Sequence, residues 1–220
     1  MFIKFNKLLN IKRMLFFDND ITSVQNKYDY FIVGSDQVWN YNYFDNEKLY
    51  LLDGIDSLKK VSFSASFGID NIPDYLLPVY KKCLEDFKNL SVREDRGKKI
   101  IEEITGRTDV EVLIDPTMLL SSDEWDSIST RPKQFDALYN KKYILNYFLG
   151  NVSSSRENAI ERIARDNDCT IINLMDPSSP FYSCGPSDFL YLEKHAFLIC
   201  TDSFHSSVFA ILYKDRKSVV

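Results

Sequence analysis

"YDYFIVGSDQVW", residues 28–39, is the stretch on which the reading of this chain turns. An apolar, β-branched and aromatic run reaches Gly34 and stops, and Ser35, Asp36, Gln37 and Trp39 follow almost together. A short apolar run of this kind reads as a buried strand. In parallel α/β sheets the carboxyl ends of strands carry the ligand-facing loops, so polar residues behind a terminal glycine have two readings. One is a tight turn with a packed aromatic, and the other is a wall of a binding site.

Working outward, further strand-like runs rich in Val, Ile, Phe and Tyr lie at 60–65, 90–93, 110–114, 142–148, 170–174 and 196–200, beside 29–33 itself. Helical spacing separates several of them. Tyr75, Leu76, Val79, Cys83 and Phe87 form one apolar face, Ile100, Ile101 and Ile104 a second, and Ile160 and Ile163 a third. Apolar strands alternating with amphipathic helices predict an α/β protein with parallel sheet covered on both faces. The polar stretch "SSDEWDSISTRPKQFDALYNKK" at 121–142 marks a change of unit, with Ser122 as N-cap of a brief helix through Trp125. The expected division is residues 1–130 and 131–220.

Composition narrows the function classes. The chain has 220 residues, 45% of them hydrophobic and 27% charged, as in ordinary globular proteins. A net charge of -5 gives no electrostatic case for nucleic acid as a partner. No apolar run is long enough to cross a bilayer, although residues 1–17 are basic and amphipathic. Cys83, Cys169, Cys184 and Cys200 lie far apart without CxxC spacing, which reads as reduced thiols of a cytoplasmic protein and predicts no metal site. No GxGxxG or P-loop occurs.

The candidate residues sit at strand ends. "ICTDSFHSS" runs from a strand through the capping residues Thr201, Asp202 and Ser203 into a helix, which puts His205 in the first turn. There an imidazole can donate to an anion or move a proton, while the plainer reading is a surface histidine beside an ordinary cap. His195 reads as the charge complement of a helix end. Arg93 ends the strand in "LSVRED" and offers a planar fork to carboxylate or phosphate, against a local ion pair with Glu94 or Asp95. Asp36 reads either as a group that orients a hydroxyl or acts as its base, or as an Asx turn capping a following helix.

Together, "YDYFIVGSDQVWN", "VSFSASFG", "LSVREDRG", "DPTMLL" and "GPSDFLYLEKHAFLICTDSFHSSVFA" resemble the polysaccharide pyruvyl transferase family over roughly residues 25 to 214. The resemblance implies a GT-B-like architecture of two Rossmann-like units facing a cleft. It implies transfer of pyruvate from phosphoenolpyruvate, as co-substrate and with no cofactor, onto two hydroxyls of a sugar as a cyclic ketal. The partner would be a surface glycan or a lipid-linked sugar precursor, with peripheral membrane association and self-association as further options.

On that resemblance His205 and Asp36 take the catalytic roles, Arg93 and Ser203 the donor anion, and Gly34, Ser35, Gln37, Ser66, Gly68 and Asp202 line the cleft. The family's Arg-Leu-His triplet reads Ser203-Phe204-His205 here, so one cation is lost. The family's opening strand and Gly-Ala-x-Leu-Gln stretch are missing, and the chain stops at Val220, which implies that both units are partial. Two other functions are set beside the transferase: a GT-B-like glycosyltransferase using a nucleotide sugar, and an inactive remnant or glycan-binding protein.

Overall fold

A computed structural model describes residues 21–43, 47–138 and 141–213; the basic stretch at 1–17 lies outside them. The described residues form two compact units, one up to Leu119 and one from Leu120 onward. All strand pairing is parallel within each.

In the first unit, β1 (Phe31–Val33) pairs with β2 (Lys60–Ser62), and β3 (Ser91–Val92) with β4 (Glu111–Val112). Single bridges, Val61 to Asn89 and Ala65 to Val92, join β2 to β3, so the four strands lie side by side in chain order. The β2–β3 ladder is broken because serine hydroxyls enter it. Ser62 Oγ donates to the Ser91 carbonyl and accepts from the Ser91 amide, both at 2.8 Å. Ser91 Oγ donates to the Ser62 carbonyl at 2.7 Å and accepts from the Ser64 amide at 3.0 Å.

Helix α1 (Leu77–Glu85) buries Tyr80, Cys83 and Leu84, at the i, i+3, i+4 spacing of a core-facing stripe. Helix α2 (Asp95–Thr105) does the same with Gly97, Ile100 and Ile101 and ends at Gly106. Both face the core built on Trp39, Phe67 and Phe87. Trp39 is 1% exposed, its ring 5.3 Å from Phe67, its indole N–H donating to the Tyr50 carbonyl. The tryptophan is thus the packed aromatic of the two readings.

The second unit has a three-stranded sheet, β5 (Tyr143–Tyr147), β6 (Thr170–Asn173) and β7 (Leu198–Thr201), ordered β6-β5-β7. Helix α3 (Ser122–Ser127) precedes it, α4 (Ser154–Asp166) joins β5 to β6, α5 (Pro186–His195) joins β6 to β7, and α6 (Phe204–Leu212) follows β7. Alternation along β5 feeds two cores. Tyr143 and Leu145 pack with Ile172, Leu192 and Ile199, while Ile144 packs with Ile160, Ala164 and Cys200. Both faces of this sheet are therefore covered, as apolar parallel strands require.

The cap of α3 needs correction. Ser121, not Ser122, caps it: its hydroxyl accepts from the Glu124 amide, and the Glu124 carboxylate accepts from the Ser121 amide at 2.8 Å. The capping-box spacing S-x-x-E selects Ser121, because Trp125 stands three residues after Ser122. Trp125 packs edge-on against Phe209 of α6 at 5.2 Å. His195 closes α5 with Nδ1 2.8 Å from the Tyr191 carbonyl and its ring stacked on Tyr191. The four cysteines are free thiols, and burial pushes that of Cys83 up to about 11. Among the described residues no helix is long and apolar enough to cross a membrane.

Candidate functional site

In the first unit the carboxyl ends of all four strands converge. The loop after β1 is set by contacts with the segment after β2: the Ser66 amide donates to the Asp36 carbonyl, and the Trp39 amide to the Ser66 carbonyl, both at 3.1 Å. Gly34 has φ 126°, and a Cβ there would collide with the Phe63 carbonyl oxygen. Only glycine allows this close approach of the two backbones. Gly68, at φ 59°, lies under the Gln37 side chain, where a Cβ would have no room. Gln37 Oε1 in turn accepts from Asn40 Nδ2 at 2.7 Å.

Arg93 leaves β3 at the centre of this group. Its Nη1 donates to Asp115 Oδ2 at 3.0 Å, and its Nη2 lies 3.8 Å from Asp36 Oδ1. Ser35 Oγ donates to the same Asp115 Oδ2 at 2.9 Å. Asp115 follows β4 and caps the turn Pro116–Met118, with Oδ1 accepting from the Thr117 amide at 3.0 Å and hydroxyl at 2.7 Å. The exposures form a gradient: side chains of Asp115, Arg93 and Asp36 are 0%, 11% and 71% exposed. Burial would raise the Asp115 pKa, but the Thr117 hydroxyl and amide, Arg93 and Ser35 together hold its carboxyl below the usual aspartate value.

Two sequence readings change here. The plainer reading of Arg93 is a local ion pair with Glu94 or Asp95. Arg93 pairs instead with buried Asp115, while Glu94 accepts from the Phe67 amide at 2.9 Å. Asp36 precedes no helix; its Oδ1 accepts from the next residue's amide, Gln37 N, at 2.8 Å.

The second unit presents its own group. With strand order β6-β5-β7, the chain leaves β5 to one side and returns on the other, which makes the carboxyl ends of β5 and β7 the switch point where α/β sheets bind ligands. Asp202 bridges the two loops, its carboxylate accepting from the Leu149 amide at 2.6 Å and the Gly150 amide at 3.0 Å. The Leu149 amide chiefly, then Gly150 and the Arg156 charge, lower its pKa. Thr201 Oγ1 donates to the Tyr147 carbonyl at 2.6 Å and accepts from the Ser203 amide. Ser203 is the buried N-cap of α6, accepting from the Ser206 amide. His205 falls in the first turn, half-buried, with Phe204 edge-on at 5.3 Å.

The predicted residues thus form two sets. Gly34, Ser35, Asp36, Gln37, Ser66, Gly68 and Arg93 come together in one unit, and Asp202, Ser203 and His205 in the other. Sequence reasoning missed Asp115, although Asp-Pro-Thr directly after a strand is a turn-capping signature. Among the described residues no cluster of three or more His, Cys, Asp or Glu side chains is placed to hold a metal. A family model for polysaccharide pyruvyl transferase matches residues 2–214. No curated protein and no solved structure matches the chain.

Proposed function

We propose that this chain, which belongs to the polysaccharide pyruvyl transferase family, moves pyruvate from phosphoenolpyruvate onto two hydroxyls of a sugar in a surface glycan or its lipid-linked precursor. The observation that carries this reading is the group at the carboxyl ends of β1 to β4: a cation held between a buried and an exposed carboxylate, beside a hydroxyl.

The reaction needs a proton at the donor methylene carbon, cations for its carboxylate and phosphate, and a base for the attacking hydroxyls. Two C–O bonds form at the donor's central carbon, and its bond to the phosphate oxygen breaks. One hydroxyl proton is matched by the proton gained at the methylene, and the other leaves with phosphate. In this reading Arg93 binds the donor anion, Asp36 takes a hydroxyl proton, and His205 supplies the proton or contacts phosphate, with Ser203 nearby in place of the family arginine. Gly34, Ser35, Gln37, Ser66, Gly68 and Asp202 shape the surroundings. The proposal includes a GT-B-like fold class, with each unit Rossmann-like.

Incubating the purified chain with phosphoenolpyruvate and candidate glycans tests it. Phosphate release that depends on the acceptor, with a matching ketal on the sugar, is the expected result. Acceptor-independent release, or turnover of a nucleotide sugar instead, contradicts it.

A further inference from the structure

We infer that Asp115 is a positioning residue of the proposed site: its buried carboxylate holds the Arg93 guanidinium and the Ser35 hydroxyl in place and keeps Arg93 from closing on Asp36. The inference rests on the reading of Arg93 as the donor-anion group.

The geometry is specific about how this works. One oxygen, Oδ2, takes both Arg93 Nη1 and Ser35 Oγ, at 3.0 and 2.9 Å. The other, Oδ1, is itself fixed by the Thr117 amide and hydroxyl, so the carboxylate cannot rotate without losing two hydrogen bonds. Asp115 therefore transmits the position of the β4 turn to two side chains on other strand ends. The opposing pull is Asp36, whose Oδ1 is already 3.8 Å from Arg93 Nη2 and whose side chain is exposed enough to move. Without the Asp115 charge the guanidinium is left beside the Asp36 carboxylate, 3.8 Å from its Nη2. Closing that pair would occupy the cation meant for the donor and the base meant for the acceptor hydroxyl. A charge-assisted hydrogen bond to a fully buried carboxylate is strong enough to prevent this. The lowered Asp115 pKa keeps the carboxylate ionised throughout the neutral range.

The test has two arms on the full chain. In the ligand-free protein, nitrogen-15 spectra of arginine side chains, with Arg93→Lys to assign the signal, should show Arg93 Nη restrained in the wild type and released in Asp115→Asn. In phosphoenolpyruvate titrations Asp115→Asn should weaken binding about tenfold, and Arg93→Lys added to it should weaken binding less than about twofold further, because coupled residues are not additive. Additive losses, or an Arg93 signal indifferent to Asp115→Asn, overturn the inference. If Asp115→Asn does not fold, Thr117→Ala loosens the same carboxylate while keeping its charge. Broadened Arg93 signals there support the inference, and unchanged ones overturn it. A wild type that binds no phosphoenolpyruvate sinks the donor reading alone, since the spectra still decide whether Asp115 holds Arg93.

Discussion

The neighbours of Arg93 determine which substitution at that residue is informative. Removing the guanidinium takes from buried Asp115 its cationic partner, and loss of one member of a buried pair costs about 3–5 kcal/mol, so Arg93→Ala reports mainly on stability. Arg93→Lys keeps the charge beside Asp115 and removes the second nitrogen, so the fold should survive while phosphoenolpyruvate affinity falls about tenfold, since a lysine cannot reproduce the bidentate fork. Calorimetric titration checks this, and unchanged affinity would count against the anion-binding role. Asp202 makes a different statement, through pH. Its pKa is lowered in the folded chain, chiefly by the Leu149 amide, so the stability it contributes is present above the unfolded aspartate value of about 4 and drains away as pH falls through the folded value. Denaturant unfolding between pH 6 and pH 3 should therefore lose less stability in Asp202→Asn than in the wild type. Identical pH dependence would show that the bridge from β7 to the β5 loop contributes nothing.

Between elements, the serine seam of β2 and β3 accounts for a sheet that pairs only two and two by backbone ladder. Ser62 Oγ satisfies the Ser91 amide, so Ser62→Ala leaves that buried donor without its partner and should cost about 1–3 kcal/mol. Ser91→Ala should cost a similar amount, and the double variant less than the sum, because both hydroxyls belong to one network. Denaturant midpoints of the three variants decide this; simple additivity would mean that the hydroxyls act independently. The strands themselves were legible, because alternation such as Tyr143, Ile144 and Leu145 between two cores leaves a continuous apolar run. The seam was not, because "SFSAS" reads as an ordinary strand and only its partner at Ser91 shows that hydroxyls take ladder positions. The α3 cap was open to reading from Glu124, and the adjacent Ser122 obscured it.

At the scale of the molecule, two parallel α/β units each gather polar residues at strand carboxyl ends, and the family match extends over both. This level was legible because strand ends, glycines and capping residues are local signals, as at Gly34 and Ser203. The Arg93–Asp115 pair was not. The two lie 22 residues apart, and only the pairing of Val92 with Val112 brings their strand ends together. Spacing near Arg93 pointed instead to Glu94, which accepts from the Phe67 amide, and to Asp95, which opens α2. The most direct test of the central claim follows one atom. With phosphoenolpyruvate carrying oxygen-18 in the bridge between carbon and phosphorus, ketal transfer breaks the carbon–oxygen bond. The purified chain with a competent acceptor should release phosphate that contains the label and should leave the pyruvate on the glycan. Label retained in free pyruvate, or donor left unconsumed with the chain folded, would contradict the account.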